Sequence, residues 1–499
     1  MRVLYVCSEL FPLLKTGGLA DVSAALPPAL RLAGCDVRIL IPAYPAIESA
    51  FEALTGQPQL HLPQLNGLGP QPAQESTQAL PYLMLGQLST DVSAHCYLLK
   101  SAALFGREGN PYLDSKGEPW PDNAIRFAFL GWAAACLGQG LDSAWQPDVV
   151  HCHDWHTGLA PIYMRELAAG DPPKAATIFT IHNLAYQGLF PRSDFDQLGL
   201  APDLFSMDGL EFHDQVSFMK AGLQFAQQLT TVSPSYAQEI LTPEQGMGLD
   251  GLLRNRAHAL CGILNGVDYN VWSPDHDAVL MHHYDVDSLE KKAHAKAQLQ
   301  IRLNLQDRQG AMIFGVVSRL SEQKGLHLVH AVIDQIVQGG GQLALLGSGD
   351  PDLERAFRLA AEEHPGQVGV FIGYHEDMAH MIIAGSDVIL LPSRFEPCGL
   401  TQLYGLRYGT LPLVHRVGGL ADTVVDATDT TLRDNTASGF VFGDFSVMGL
   451  QNALTNAFAM KPRAQIWRSV QQHAMRLRFD WTVAAQSYLA LYRKVAMRS

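Results

Sequence analysis

The feature that most constrains this chain is a unit it contains twice: a short apolar run, a glycine pair, then a segment with helical character. Residues 2–7 form a run rich in β-branched and apolar side chains, the pair Gly17-Gly18 follows, and Leu19 to Leu32 reads as a helix. A run without polar alternation predicts a strand covered on both faces. Asp36 to Ile41 predicts the next strand, so the local order is strand, loop, helix, strand, the unit of a doubly wound parallel sheet. Further along, strands are predicted at Asp148–His151 and Thr177–Ile181, with a helix over Gly158–Ala168 between them.

A second series starts near residue 262. Met312–Val317 and Gln342–Leu346 read as strands flanking a helix over Gly325–Val337, and two more buried strands are predicted at Asp387–Leu391 and Leu411–Val414. The glycine unit returns here, because Gly17-Gly18-Leu19-Ala20-Asp21 is repeated as Gly418-Gly419-Leu420-Ala421-Asp422, each copy after a strand and before a helix. A chain of 499 residues exceeds one hydrophobic core. The reading is two α/β sheets in tandem, joined near Ile263-Leu264-Asn265-Gly266. The stretch from Gly56 to Glu75, rich in Gln, Pro and Gly, reads as a surface loop of the first domain.

Charge narrows the partners. A net charge of -14 provides no basic surplus for nucleic acid or an anionic membrane, but suits a neutral polymer such as a polysaccharide. The seven cysteines show no spaced framework and read as reduced cytosolic thiols. The N-terminal apolar run breaks at Ser8-Glu9 without a cleavage site, and no stretch reaches the ~20 apolar residues of a membrane helix. The expectation is a soluble, cytoplasmic protein.

Four segments carry candidate chemistry. In Lys15-Thr16-Gly17-Gly18-Leu19, paired glycines permit close backbone approach, free N–H groups at a helix start attract an anion, and Lys15 adds a mobile charge. A tight turn with a surface lysine is the plainer alternative. In Ser318-Arg319-Leu320 with Lys324-Gly325, two cations lie past the end of a buried strand, where they would hold a leaving diphosphate. In Pro392 to Thr401, Glu396 sits at the sheet's carboxyl edge, where it could bond sugar hydroxyls or stabilise positive charge on a sugar ring. The amides of Gly399, Leu400 and Thr401 would take phosphate. A purely structural turn is the alternative there. Finally, His151-Cys152-His153-Asp154-Trp155-His156 and Ile181-His182-Asn183 follow two further strands. Consecutive residues on a strand point to opposite faces, so this run does not converge on a metal ion. A sugar site fits better, with Trp155 as a stacking face and Asp154, His182 and Asn183 bonding hydroxyls. Asp285-Val286-Asp287 has the spacing of a metal-binding Asp-x-Asp but no buried strand before it, and is set aside.

Together these blocks resemble the bacterial glycogen synthase and plant starch synthase family over essentially the whole length: K-T-G-G-L-A-D-V, H-D-W-H, T-I-H-N-L-A-Y-Q-G, N-G-V-D, S-R-L-x-x-x-K-G, S-R-F-E-P-C-G-L-T-Q-L-Y-G and V-G-G-L-A-D-T-V. The resemblance implies a GT-B fold, two Rossmann-like doubly wound parallel-sheet domains facing across a cleft. It implies domains over 1–261 and 262–478, and a helix in 479–499 packing back on the first. It also implies retaining glucosyl transfer from ADP-glucose to the non-reducing end of glycogen or another α-1,4-glucan, without metal or other cofactor. By motif position, Lys15, Gly18, Arg319, Lys324, Tyr374 and Thr401 should bind the nucleotide diphosphate, with Cys398, Gly399 and Leu400 also binding substrate. Asp21, Asp154, Trp155, His182, Asn183 and Asn265 should surround the sugar or the reacting centre, and Glu396 matches the essential glutamate. Many retaining relatives carry a second glutamate eight residues on; here that position is Tyr404. The rival readings are a retaining transferase using UDP-glucose and a non-catalytic glucan-binding protein on the same fold.

Overall fold

The computed structural model describes residues 1–69, 80–308 and 310–497. They divide into two compact units, one made of residues 1–232, 237–266 and 481 onward, the other of residues 233–236 and 267–480. The first unit contains strands β1 (Arg2–Val6), β2 (Asp36–Pro42), β3 (Phe51–Ala53), β4 (Leu60–His61), β5 (Tyr82–Leu88), β6 (Asp91–Lys100), β7 (Val149–His153), β8 (Ala176–Ile181), β9 (Leu189–Pro191), β10 (Glu211–Phe212), β11 (Gln215–Ser217), β12 (Gln228–Thr231) and β13 (Leu260–Gly262). Its main sheet runs β13-β12-β8-β7-β1-β2-β6-β5-β3, with β4 on β5, while β9 to β11 form a small separate sheet. Pairing is parallel from β13 to β6 and antiparallel where β5 joins β6. The unit runs on to Gly266 rather than ending at 261, because β13 is the edge strand of its sheet.

The second unit contains β14 (Ile313–Val317), β15 (Gln342–Gly347), β16 (Val368–Ile372), β17 (Val388–Leu391), β18 (Leu411–His415) and β19 (Phe440–Phe442), ordered β16-β15-β14-β17-β18-β19 and parallel throughout. In each unit the strand order reverses beside the first strand, between β1 and β7 and between β14 and β17. At such a point the connecting loops diverge to opposite faces and leave a crevice outside the carboxyl ends of the strands. The residues following β1, β7, β14 and β17 are therefore the ones the fold presents to a ligand.

Several details depart from the sequence reading. The helix expected over Gly325–Val337 is two helices, Leu326–Ala331 and Ile333–Gln338, divided at Val332 where β-branched residues crowd the turn. The described part of the Gly56–Glu75 loop includes β4 and buries Leu62; residues 70–75 of it lie outside the described residues. A helix over Asn123–Gly138, buried at every position, packs beneath β1, β2 and β7. Its Arg126 is tolerated there because it donates to the carbonyls of Leu104 and Pro111 and to Asn123 Oδ1. Among the described residues no helix is long and apolar enough to cross a membrane.

The C-terminal helix Trp481–Ala496 belongs to the first unit and packs on the helix Gly18–Leu32. Tyr492 reaches His151 Nδ1 at 2.8 Å, and the other ring nitrogen of His151 lies 2.7 Å from Thr180 Oγ1. Burial pushes His151, His156 and His182 down to about 3, and His153 well below its usual range. These imidazoles are neutral in the folded chain and titrate near 6.5 when it unfolds. Their contribution is complete above pH 6.5 and is lost as pH falls toward 3; buried Asp154, pushed up to about 7, offsets one of them over the same range. Ordinary carboxylates titrate near pH 4, so the histidines dominate above about pH 4.5. The melting temperature should therefore fall steadily from pH 6.5 to pH 4.5, with each uncompensated histidine costing about 1.4 kcal/mol per pH unit. A flat profile by calorimetry would contradict the neutral cluster.

Candidate active site

In the first unit the chain leaves β1 at Ser8-Glu9 and returns to start the helix Gly18–Leu32. Lys15 Nζ lies 3.0 Å from Asp21 Oδ1 and 5.1 Å from the centre of the Phe11 ring. Two of the amides expected to be open are occupied: buried Glu9 accepts from Thr16 N–H at 2.7 Å and Gly17 N–H at 3.2 Å. That leaves Gly18 and Leu19 N–H as the open donors of the first turn among the described residues. A Cβ added at Gly17 or Gly18 meets nothing within 4 Å among them, and neither residue has positive φ. Neither packing nor backbone strain requires glycine at these positions. Space kept beside open amides and a lysine suits an anion.

At the end of β7, Asp154 adopts φ 56, a left-handed backbone rare outside glycine. Its carboxylate accepts from His182 N–H at 2.8 Å and Asn183 N–H at 3.4 Å, which joins the loops after β7 and β8. Burial pushes its carboxyl up to about 7, against the pull of those amides. His182 Nε2 lies 2.9 Å from His153 Nδ1, so two neutral imidazoles share one proton between them. Trp155 is half-buried, edge-on to Phe127 at 4.9 Å. Gly188, at φ 58, leaves room for its indole, which a Cβ there would meet at 2.4 Å.

Trp155 also lines a pocket of about 520 Å³ with Tyr186, Gly188, Leu189, Phe212 and Gln187. Gln187 Nε2 donates to Met247 carbonyl at 2.9 Å while its buried Oε1 has no partner among the described residues. Asn265 Oδ1, just past β13, is likewise buried without one. Asn265 makes no polar contact with the Asp154 group among the described residues. His151 and His153 pack together with ring centroids 4.0 Å apart, while His156 packs on Trp155 at 4.2 Å and on Tyr112 at 4.7 Å; among the described residues no group of three or more His, Cys, Asp or Glu could hold a metal ion.

In the second unit Glu396 follows β17 and is 6% exposed. Lys324 Nζ donates to both carboxylate oxygens, at 2.8 and 2.6 Å, and Ser393 Oγ donates to Oε2 at 2.8 Å. Lys324 is thus Glu396's direct partner rather than a detached cation. Glu322, which could have paired with Arg319 or Lys324, bonds Arg394 at 2.9 Å instead. Arg319 is exposed past β14. Glycines seat these loops on one another: a Cβ on Gly325 would meet the Pro392 carbonyl at 1.9 Å, one on Gly418 the Glu396 carbonyl at 2.0 Å, and one on Gly419 the Cys398 carbonyl at 2.1 Å. Gly399, at φ 71, turns the chain into the helix Thr401–Arg407, with Cys398 buried and Leu400 half-buried. Tyr374 projects beside Glu376 and is 71% exposed. Tyr404 stacks on Trp272 at 4.0 Å, and Trp272 stacks in turn on His380 at 3.7 Å, so the second-glutamate position is an aromatic packing site here. Asp285 turns back on its own loop, accepting from Asp287 and Ser288.

Residues 2–255 match the starch synthase catalytic domain model and residues 299–470 the glycosyl transferases group 1 model. The glycogen synthase of Albidiferax ferrireducens is 57% identical, covering 99% of both chains, and that of Francisella philomiragia is 51% identical, covering 99% of this chain and all of the other. The chain belongs to the glycogen and starch synthase family. Among solved structures, the catalytic domain of starch synthase IV from Arabidopsis thaliana, bound to ADP and acarbose, superposes with a TM-score of 0.86 at 30% identity over 99% of each chain. A sucrose-phosphate synthase from Thermosynechococcus elongatus shares the fold at a TM-score of 0.59 and 17% identity, each chain fully covered. Membership makes this chain a GT-B glucosyltransferase acting in glycogen synthesis.

For a synthase of this family, four groups escaped the sequence reading. Glu9 was visible only as the end of an apolar run, and Ser393 only as part of a motif. Tyr112 and Gln187 gave no signal, because what distinguishes them is a partner, or its lack, in the fold. The repeated glycines generate a paired prediction. Gly18→Ala should leave stability within about 1 kcal/mol, since Ala suits a helix and nothing is near it. Gly418→Ala, at φ 43 against the Glu396 carbonyl, should lose about 2–5 kcal/mol from left-handed strain and overpacking. Equal losses in urea titrations of the two variants would contradict the contrast.

Proposed function

We propose that this chain transfers glucose from ADP-glucose to the non-reducing end of an α-1,4-glucan such as glycogen, with retention of configuration. The observation that carries the reading is Glu396, buried beside the β14/β17 crevice and bound by Lys324 and Ser393. A carboxylate there can bond sugar hydroxyls and stabilise positive charge on the ring as the glycosidic bond breaks.

Arg319 and Lys324 are assigned to the leaving diphosphate, with the backbone of Cys398 to Thr401. In the first unit Lys15, Gly18 and Leu19 are assigned to phosphate, and in the second Tyr374 is assigned to the nucleotide. Asp21 orients Lys15. Asp154, His182, Asn183 and Asn265 are assigned to the sugar, and the aromatic pocket around Trp155 to the glucan, where Gln187 Oε1 would accept from a hydroxyl. Because His182 is held neutral by burial, its imidazole acts as a dipole and hydrogen-bond partner rather than as a cation. The acceptor hydroxyl attacks from the face the diphosphate is leaving. Its proton passes to the departing phosphate oxygen, so no separate base is required.

The reading gives the leaving charge to lysine, arginine and backbone amides, with no metal or other cofactor; EDTA should leave the rate unchanged. It also places the chain in the cytoplasm, in keeping with seven free cysteines. Relatives named glycogen synthase and a starch synthase bound to ADP support the donor class. Glycogen elongation should proceed with ADP-glucose and at least about tenfold more slowly with UDP-glucose. Glu396→Gln and Arg319→Ala should each reduce kcat by about a hundredfold or more while the circular dichroism spectrum stays unchanged. Near-normal turnover in either variant would reject its assignment. Tight glycogen binding by folded wild type without transfer would support the non-catalytic reading instead.

A further inference from the structure

We propose that Glu9 is the positioning residue that shapes the Lys15–Leu19 loop to receive the donor's phosphate; the inference rests on the function proposed above. Glu9 is 3% exposed and follows β1 at the strand-order reversal. Four donors converge on its two oxygens. Thr16 N–H and Gly17 N–H reach Oε2 at 2.7 and 3.2 Å, while Thr16 Oγ1 and the Tyr112 hydroxyl reach Oε1 at 2.5 and 2.6 Å. Burial and the neighbouring Glu9 push the Tyr112 phenol far above its usual range, so it stays protonated and donates. Its remaining lone pair then accepts from Ser8 Oγ at 2.8 Å. The phenol is itself braced, stacked on His156 at 4.7 Å.

The consequence is a division of the loop's amides. Glu9 consumes those of Thr16 and Gly17 and turns the backbone so that Gly18 and Leu19 N–H remain for an external anion. Without that anchor, no described residue within 4 Å of a Cβ at Gly17 or Gly18 would confine them sterically, and two glycines sample the widest backbone range of any pair. A donor would then have to order the loop at the moment of binding, which lowers its affinity. Glu9 carries negative charge close to the phosphate's expected position. The four donors, and the Lys15 ion pair one turn away, offset that repulsion.

The test compares wild type with Glu9→Gln and Tyr112→Phe, measuring KM for ADP-glucose, KM for glycogen, kcat, and the rise in melting temperature produced by ADP. Glu9→Gln keeps the shape but turns an acceptor oxygen into a donor facing donors. It should raise KM for ADP-glucose by about tenfold or more and abolish most of the ADP-induced shift. KM for glycogen should stay within about twofold, because the aromatic pocket is untouched. Tyr112→Phe, which removes one bond of the four and keeps the ring, should move the same two quantities by a smaller factor. A merely structural role would lower the melting temperature and kcat without separating the two KM values. If Glu9→Gln is unstable, Tyr112→Phe carries the test alone. Unchanged donor KM and ADP shift in a folded variant, or an equal rise in both KM values, would overturn the inference. Failure of wild type to use ADP-glucose would instead overturn the reading beneath it.

Discussion

The arrangement in the second unit depends on a charge that cannot be left unpaired. Glu396 is 6% exposed, and a carboxylate so far from water persists only with a close cation and satisfied lone pairs. Lys324 and Ser393 supply both. Removing one member of such a pair costs about 3–5 kcal/mol, because the other is left buried and uncompensated. The backbone around it follows from that requirement. Lys324 reaches Glu396 only if the loop after β14 lies against the loop after β17, and the 1.9 Å between a Gly325 Cβ and the Pro392 carbonyl shows how close they lie. The loop after β18 closes on the other side, with Gly419 N–H donating to the Glu396 carbonyl at 3.1 Å. His415, at the end of β18, stands 2.8 Å from the Ser393 carbonyl and fixes the third partner.

The first unit solves a similar problem by different means. Its glycine loop is held by a buried carboxylate accepting from backbone amides and two hydroxyls, with no cation on that carboxylate among the described residues. The cation nearby, Lys15, is held on Asp21 through a partly exposed pair that is worth little to stability and is correspondingly free to exchange partners. A lysine that can change partners suits ligand binding. A lysine held on a buried glutamate by two of its three N–H donors offers the third from a fixed place. The two units thus place one mobile and one fixed cation, each beside a carboxyl edge of a parallel sheet.

How far the sequence anticipates this depends on the physics of each element. Strands covered on both faces are apolar without interruption, so β1, β8, β15, β17 and β18 stand out within a residue or two. The parallel order then follows from the helices between them. The echo of Gly17–Asp21 at Gly418–Asp422 identifies two related loops, but not that their glycines serve opposite purposes. One pair faces open space and the other presses on the Glu396 and Cys398 carbonyls, a difference set by neighbours far away in sequence. The same holds for the shared aspartate, which pairs with Lys15 in one copy and accepts from Ser235 N–H and Oγ in the other. Lys324 and Glu396 belong to separate motifs in the sequence and form one ion pair in the fold. Buried donors and acceptors such as Tyr112 and Gln187 carry no periodicity and no composition signal, so only the fold identifies them.

The most direct measurement of the central claim is proton NMR of the wild-type chain mixed with ADP-glucose and a short α-1,4-glucan. The first resonance to grow should belong to an internal α-1,4-linked glucose, appearing in step with released ADP. Appearance of a β-linked residue, or of free glucose in place of a longer chain, would contradict it.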